Sequence, residues 1–312
     1  MATSEQSVMV KRIVNCMNFY NLPMGICSVI VGCMAASYVE IFEIVPFVLS
    51  LIFVSLLQIG VNLQNNYSEL HYHKHYVADV ELTGKLMTLT ENDELPLKVA
   101  SFMFISLAFT IGLGLGVVGR WPAIVVGIII LVAVYFYNNS NNAIRYSRLA
   151  PLVVWFFYGP VAVMGCFFLE TYHSLRDAYT AHEVFLAFLI SGIMGIYAEN
   201  VWLLRERMRS VILPGHSGIY VSRISPRALS RIVFVNTILI FVAQTVLVFV
   251  VIPYSWAWET LPVICLAGNF ISYRKSCTLG RNVSDYRAIT LIGLANMIFY
   301  TVAVTVSAAV VL

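Results

Sequence analysis

Apolar residues run along this chain in blocks, and the polar and basic residues gather between them. Nine blocks stand out: 22–38, 44–62, 97–117, 121–138, 150–169, 184–203, 232–252, 257–272 and 289–311. Most come close to the roughly 20 residues a helix needs to cross a hydrocarbon layer about 30 Å thick. Backbone N–H and C=O groups in lipid must pair within the segment, so such blocks are expected to be helices. Strands of a barrel would be shorter and would alternate apolar with polar. The pattern predicts an all-α, polytopic membrane bundle of about nine transmembrane helices.

Charge supports that count. With nine spans the connections alternate sides, and 17 of the 19 Lys and Arg residues fall on the side of the N-terminus; Arg120 and Arg176 fall on the other. Such a bias marks the basic side as cytoplasmic, or its organellar equivalent. The N-terminus and the long loops are therefore expected there. Composition agrees, with 60% hydrophobic and 11% charged residues and a mean hydropathy of +0.83, which excludes an ordinary soluble domain. The net charge of +3 reflects topology and does not form a patch that would bind nucleic acid. Cys16, Cys27, Cys33, Cys166, Cys265 and Cys277 lie mostly in apolar blocks, with no zinc or disulfide spacing, and read as small buried hydrophobes. The first ~20 residues lack the short apolar core of a cleaved signal peptide.

The connections differ in length. Those on the basic side include two long ones, 63–96 and 204–231, and a moderate one, 273–288; those on the other side are short, such as 118–120 and 253–256. The long pair follows the second and sixth blocks, which suggests a repeated unit of about four helices with equivalent sites after its second helix. Long loops on one face of a bundle tend to carry function. No low-complexity stretch divides the chain, so 1–312 is read as one integral-membrane domain.

The chemistry-bearing residues stand at those two places. After the second block, Asn62, Asn66 and Glu69 share a helix face, with Asn65 beside them. They are oxygen donors suited to a hard cation such as magnesium; equally, they make an ordinary polar helix end in the headgroup region. After the sixth block, Glu199 and Asn200 lie inside an apolar run, where an ionisable residue is a functional candidate by default. Arg205, Arg207 and Arg209 follow. Arginine forks bind diphosphate without a metal, and they also anchor helix ends on the positive side. His71, His73 and His75 alternate with Tyr72, Lys74 and Tyr76; His71 and His75 share a face as paired zinc ligands do, but an interfacial aromatic segment is commoner.

Together these features resemble the UbiA-type intramembrane prenyltransferases, most closely the menaquinone-branch (dihydroxynaphthoate) members, over nearly the whole chain. Asn21-Leu22-Pro23 with Gly25 and Gly32 is similar to the opening of the family's first helix. Asn65-Asn66-Tyr67-Ser68-Glu69 stands at the first aspartate-rich motif, and Gly84-Lys85-Leu86 with Leu89-Thr90 is similar to the stretch after it. Tyr146-Ser147-Arg148-Leu149 and then Phe157-Tyr158-Gly159-Pro160-Val161-Ala162-Val163-Met164-Gly165 resemble the Tyr-x-x-Leu element and the Phe-x-Gly-Pro-x-x-Val-x-Gly helix. Glu199-Asn200 stands at the Asn-Asn that opens the second motif.

The resemblance implies transfer of a prenyl group from a polyprenyl diphosphate to an acceptor, often aromatic, with magnesium held by two aspartate motifs. It would make Glu69 and Tyr146 catalytic and Asn66 and Glu69 metal ligands. Asn62, Asn65, Asn66, Lys85, Glu199, Asn200, Arg205, Arg207 and Arg209 would bind substrate. The chain departs from the family pattern where Asn66 and Glu69 replace aspartates, where Leu203 and Arg207 fall on the aspartate positions of the second motif, where Trp202 takes the place of its arginine, and where Asn18 stands for an arginine near the first helix. Two readings therefore stay open: a divergent prenyltransferase, or a non-catalytic relative that binds an isoprenoid or quinone-like lipid or serves as a subunit of a membrane complex. A transporter would call for interrupted short helices and a charge relay, of which only Glu199 is in view.

Overall fold

The computed structural model describes residues 2–39, 41–73, 77–78, 87–138, 143–171, 180–212, 220–247 and 283–311, with isolated residues at 267–268, 270–271 and 274–275. It is helical apart from a short antiparallel pair, β1 (Val77–Ala78) and β2 (Met87–Thr88). The helices are α1 (Ala2–Cys16), α2 (Leu22–Ser37), α3 (Ile44–His73), α4 (Glu94–Asn138), α5 (Ala150–Phe156), α6 (Gly165–Thr171), α7 (Ala181–Ile212), α8 (Pro226–Val246) and α9 (Val283–Val311). Among the described residues, seven helical stretches are long and apolar enough to cross a membrane, and Ala123–Asn138 is a shorter apolar helix. The chain is an integral, multi-pass membrane protein. The expected span 257–272 lies almost wholly outside the described residues, so about nine spans agrees with what is described.

Helix α4 contains two of the expected spans. Forty-five residues of helix would reach about 67 Å, twice a hydrocarbon layer. In a straight helix, residues eight apart are separated by about 12 Å. A Cβ placed on Gly116 would instead lie 2.6 Å from Ile124 Cγ1, so the axis turns back between the two limbs. Glycine is what permits that approach.

The chain falls into two units, one formed by Met1–Leu22 with Leu51–Ser147 and the other by Pro23–Ser50 with Arg148–Leu312. In the first, Cys16, Ile59, Leu63, Tyr67, Leu70, Leu89 and Leu97 form an apolar core, with Ile13, Met17, Leu22, Ala100 and Phe104 against it. The polar stretch expected to be a loop from 63 onward is instead the continuation of α3 to His73. Its apolar positions 63, 67 and 70 keep helical spacing and enter this core.

The second unit is organised by the crossing of α7 with the helix that begins as α5. Between α5 and α6, Phe157–Met164 is a π-helical stretch containing Pro160. Proline has no N–H to donate and its ring crowds the carbonyl four residues back, which a wider turn relieves. A Cβ on Gly159 would stand 2.5 Å from the Ser191 carbonyl oxygen, and one on Gly195 2.5 Å from that of Trp155. The two backbones meet where neither residue has a side chain, the usual way helices approach closely in membranes. Trp155 Nε1 donates to the Gly192 carbonyl at 3.3 Å. On the other side α9 joins α7 through Tyr300 and Tyr197, ring centroids 5.6 Å apart. Cys16, Cys27, Cys33 and Cys166 are buried free thiols, as expected of small core residues; Cys265 and Cys277 lie outside the described residues.

Candidate functional site

In the first unit the C-terminal part of α3 brings Asn62, Asn65, Asn66 and Glu69 together as the sequence spacing predicts. Asn62 Nδ2 donates to the carbonyls of Met17 at 2.8 Å and Asn18 at 3.2 Å, and its Oδ1 accepts from Asn21 Nδ2 at 3.0 Å and from Gln58 Nε2 at 3.4 Å. Asn66 Nδ2 donates to the Cys16 carbonyl at 3.3 Å and to the Asn62 carbonyl at 2.9 Å. The last carbonyls of a helix have no partner within it. Here the two asparagines supply donors to the end of α1 and the turn that follows. Asn18 closes that helix in the left-handed region, at φ 49°, a conformation asparagine tolerates better than most side chains.

Glu69 is buried and faces Arg145 from the turn Ile144–Tyr146, with Nη1 2.9 Å from Oε1; the two side chains are 3% and 4% exposed. At Oε1 the contact is an ion pair outside hydrogen-bond geometry. Tyr146, on the same turn, sets its ring edge-on to His73 at 4.7 Å. Around this lie further ties. His71 Nδ1 is 2.6 Å from Glu94 Oε1, and Tyr67 stacks on His71 at 5.3 Å with Lys98 over its ring at 5.8 Å. Asp93 Oδ2 receives the Thr90 amide and hydroxyl, each at 2.8 Å, and Arg12 Nη1 at 2.9 Å. Lys85 and His75 lie outside the described residues.

The donor set can be tested against magnesium. The cation favours charged oxygens in a near-octahedral shell. At this helix end the carboxylate is ion-paired with a guanidinium and the Asn62 amide is fully committed. Of the oxygens here without a hydrogen bond, Asn65 Oδ1 and Ser68 Oγ are neutral, and Glu69 Oε1 lies against the Arg145 guanidinium. Among the described residues no cluster of three or more His, Cys, Asp or Glu is placed to hold a metal. As arranged, the set does not fit a magnesium ion.

In the second unit, Glu199 is half-buried on α7, and among the described residues no ion pair reaches it. The neighbouring Asn200 Oδ1 accepts from Asn236 Nδ2 of α8 at 2.8 Å. Leu203, where the family pattern has an aspartate, is core. One turn on, Glu206 and Arg209 are buried and Arg205 is half-buried, each with a partner of its own. Arg207 Nη1 donates to the Ser222 carbonyl at 2.7 Å, tying the end of α7 to the turn Tyr220–Arg223. Its buried Nε has no hydrogen-bond partner. Arg148 lies over the Tyr220 ring at 5.9 Å.

Sequence reasoning gave no special place to Arg145, Asn236 or the Arg12–Asp93 pair. Only the last had a readable signal: Thr90-x-x-Asp93 before an apolar run has the spacing of a capping box.

The fold is that of a UbiA-type intramembrane protein. The apo structure of a UbiA homolog from Aeropyrum pernix K1 superposes with a TM-score of 0.65 over 91% of this chain and 97% of that one, at 11% identity. In sequence, the chain is 28% identical over 146 residues to the 1,4-dihydroxy-2-naphthoate octaprenyltransferase of Mycobacterium tuberculosis, a tract covering 46% of this chain and 49% of that protein. The chain thus spans about half the length of the curated relative it matches. No family model matches. The likeness is thus one of fold to a solved UbiA homolog and, over 46% of the chain, one of sequence to a 1,4-dihydroxy-2-naphthoate octaprenyltransferase.

Proposed function

We propose that the chain transfers a prenyl group from a polyprenyl diphosphate to an aromatic, quinone-precursor acceptor within the membrane, acting as one unit over 1–312 with its long loops on the cytoplasmic side. The observation that carries this reading is the sequence likeness to a dihydroxynaphthoate octaprenyltransferase in a chain with the UbiA fold. Ionisation of an allylic diphosphate needs the leaving group's charge met where it develops. At the end of α7 the groups suited to that are guanidiniums. Arg207, with an unpartnered Nε, offers one edge of its fork to an anion, and Arg205 stands half a turn away. Magnesium, which the resemblance implies, has no fitting donor set at Glu69 and is given no part in these steps.

The test is release of diphosphate from a labelled allylic diphosphate by the purified protein, with and without magnesium and with and without an aromatic acceptor. Acceptor-dependent release that weakens in Arg207→Gln is expected. No release under any condition would sink the enzyme reading. One observation favours the alternative, a non-catalytic isoprenoid- or quinone-binding homologue or membrane-complex subunit. The acidic residue of the first motif is already neutralised inside the protein. A quinone or isoprenoid retained through purification, without turnover, would establish that alternative.

A further inference from the structure

We infer that the Arg145 guanidinium stands in for a divalent cation at the first motif, so that this half of the site is metal-independent and any isoprenoid phosphate or diphosphate it meets is bound without a metal bridge. The ligand class rests on the function proposed above; the metal-independence rests on geometry alone.

Three features carry the inference. The one carboxylate among the first-motif residues, Glu69, is almost wholly buried, and Arg145 Nη1 lies 2.9 Å from it. A buried carboxylate without a counter-charge is strongly disfavoured, so some cation has to sit beside it, and here the chain supplies its own. The cation is guanidinium, which stays charged at any working pH and cannot vacate the place by losing a proton. Second, Asn62 and Asn66, the neighbours on the Glu69 face, are turned toward backbone carbonyls. Their Nδ2 groups donate to the carbonyls of Met17, Asn18 and Cys16, and the Asn62 Oδ1, the atom a metal would take, already accepts from Asn21 and Gln58. Third, Arg145 is placed by a turn, Ile144–Tyr146, whose own N–H groups are satisfied locally: Tyr146 N to the Ala143 carbonyl at 3.0 Å and Ser147 N to the Ile144 carbonyl at 2.9 Å. His73 packs against Tyr146 from the same helix end. The guanidinium is therefore delivered by a formed element packed on α3.

Manganese alone is the probe, with bound Mn2+ counted by electron paramagnetic resonance on the full chain in nanodiscs, without any prenyl substrate. Wild type and Glu69→Gln are expected to bind the same amount of Mn2+. Arg145→Met, which leaves the carboxylate without its cation, is expected to gain a Mn2+ site that disappears in Arg145→Met combined with Glu69→Gln. A wild-type Mn2+ site lost in Glu69→Gln would overturn the inference, as would a folded Arg145→Met protein that gains no site. Should Arg145→Met not fold, the comparison of wild type with the isosteric Glu69→Gln decides alone. Because no substrate is present, these results stand or fall separately from the diphosphate-release assay.

Discussion

The ends of α3 and α7, which follow the second and sixth apolar blocks, treat charge in opposite ways. At the end of α3 one carboxylate is buried and matched by one guanidinium, and the amides beside it hold the end of α1. At the end of α7 a half-buried carboxylate, Glu199, comes before a cationic turn in which Arg207 grips a backbone carbonyl with one nitrogen and leaves another without a partner. The first region pairs its charge internally and leaves an acceptor oxygen and a hydroxyl, Asn65 Oδ1 and Ser68 Oγ, without a hydrogen bond; the second leaves a charged donor, Arg207 Nε, without one. One chain thus neutralises charge internally at the first helix end and gathers positive charge at the second.

The largest effect expected on that contrast is at Arg145. Arg145→Met strands the buried Glu69 carboxylate and should cost about 3–5 kcal/mol of stability, read by denaturant unfolding in detergent micelles. Adding Glu69→Leu should recover most of the loss, because a buried ion pair is often replaceable by apolar side chains of similar volume. If Arg145→Met costs no more than an exposed arginine would, the first region is not closed by this pair.

The asparagines allow the next test, since each region has one that bridges elements. Asn62→Leu removes donors from two carbonyls and the acceptor for Asn21. At about 1–3 kcal/mol for each buried group left unpaired, the three groups put the expected loss at about 3 kcal/mol or more. Asn200→Leu removes a single bond to Asn236 and should cost about 1–3 kcal/mol. Equal costs would mean that the second region is as tightly built as the first.

Most of this architecture was legible as spans, because a lipid environment permits little but helices and makes their apolar lengths visible. Block 44–62 begins where α3 begins, and 121–138 ends where α4 ends. What sequence could not show was how far the helices run beyond the apolar layer. Positions from 63 onward read as a connection because the apolar block ends at 62, although Asn62, Asn66 and Glu69 keep helical spacing. They sit in a helix because α1, an N-terminal helix that the apolar pattern did not disclose, gives Asn62 and Asn66 carbonyls to bond. Pro160 stood in the sequence only as part of a motif, and the π-helical stretch that accommodates it was not foreseen in block 150–169. At the candidate site the helix face of Asn62, Asn66 and Glu69 followed from spacing alone. That Arg145 would be the partner of Glu69 did not, because 76 residues separate them and many other basic residues share the same side of the topology.

The smallest expected effect on stability is the most informative about function. Arg207→Lys keeps a positive charge but loses the planar fork. Its contact with the Ser222 carbonyl is one hydrogen bond from a charged group on a half-buried side chain, so the stability loss should be no more than about 1 kcal/mol. If Arg207 serves only to tie α7 to the turn at 220–223, binding of an allylic diphosphate should change as little as stability does. If its unpartnered Nε meets an anion, the lysine variant loses a directed, charge-assisted bond that an ammonium does not replace. Diphosphate affinity, measured by calorimetry without metal, should then fall about tenfold, equivalent to about 1.4 kcal/mol, while the unfolding midpoint hardly moves. A uniform loss in both would make Arg207 another closing contact like Arg145, and the difference between the two regions would disappear.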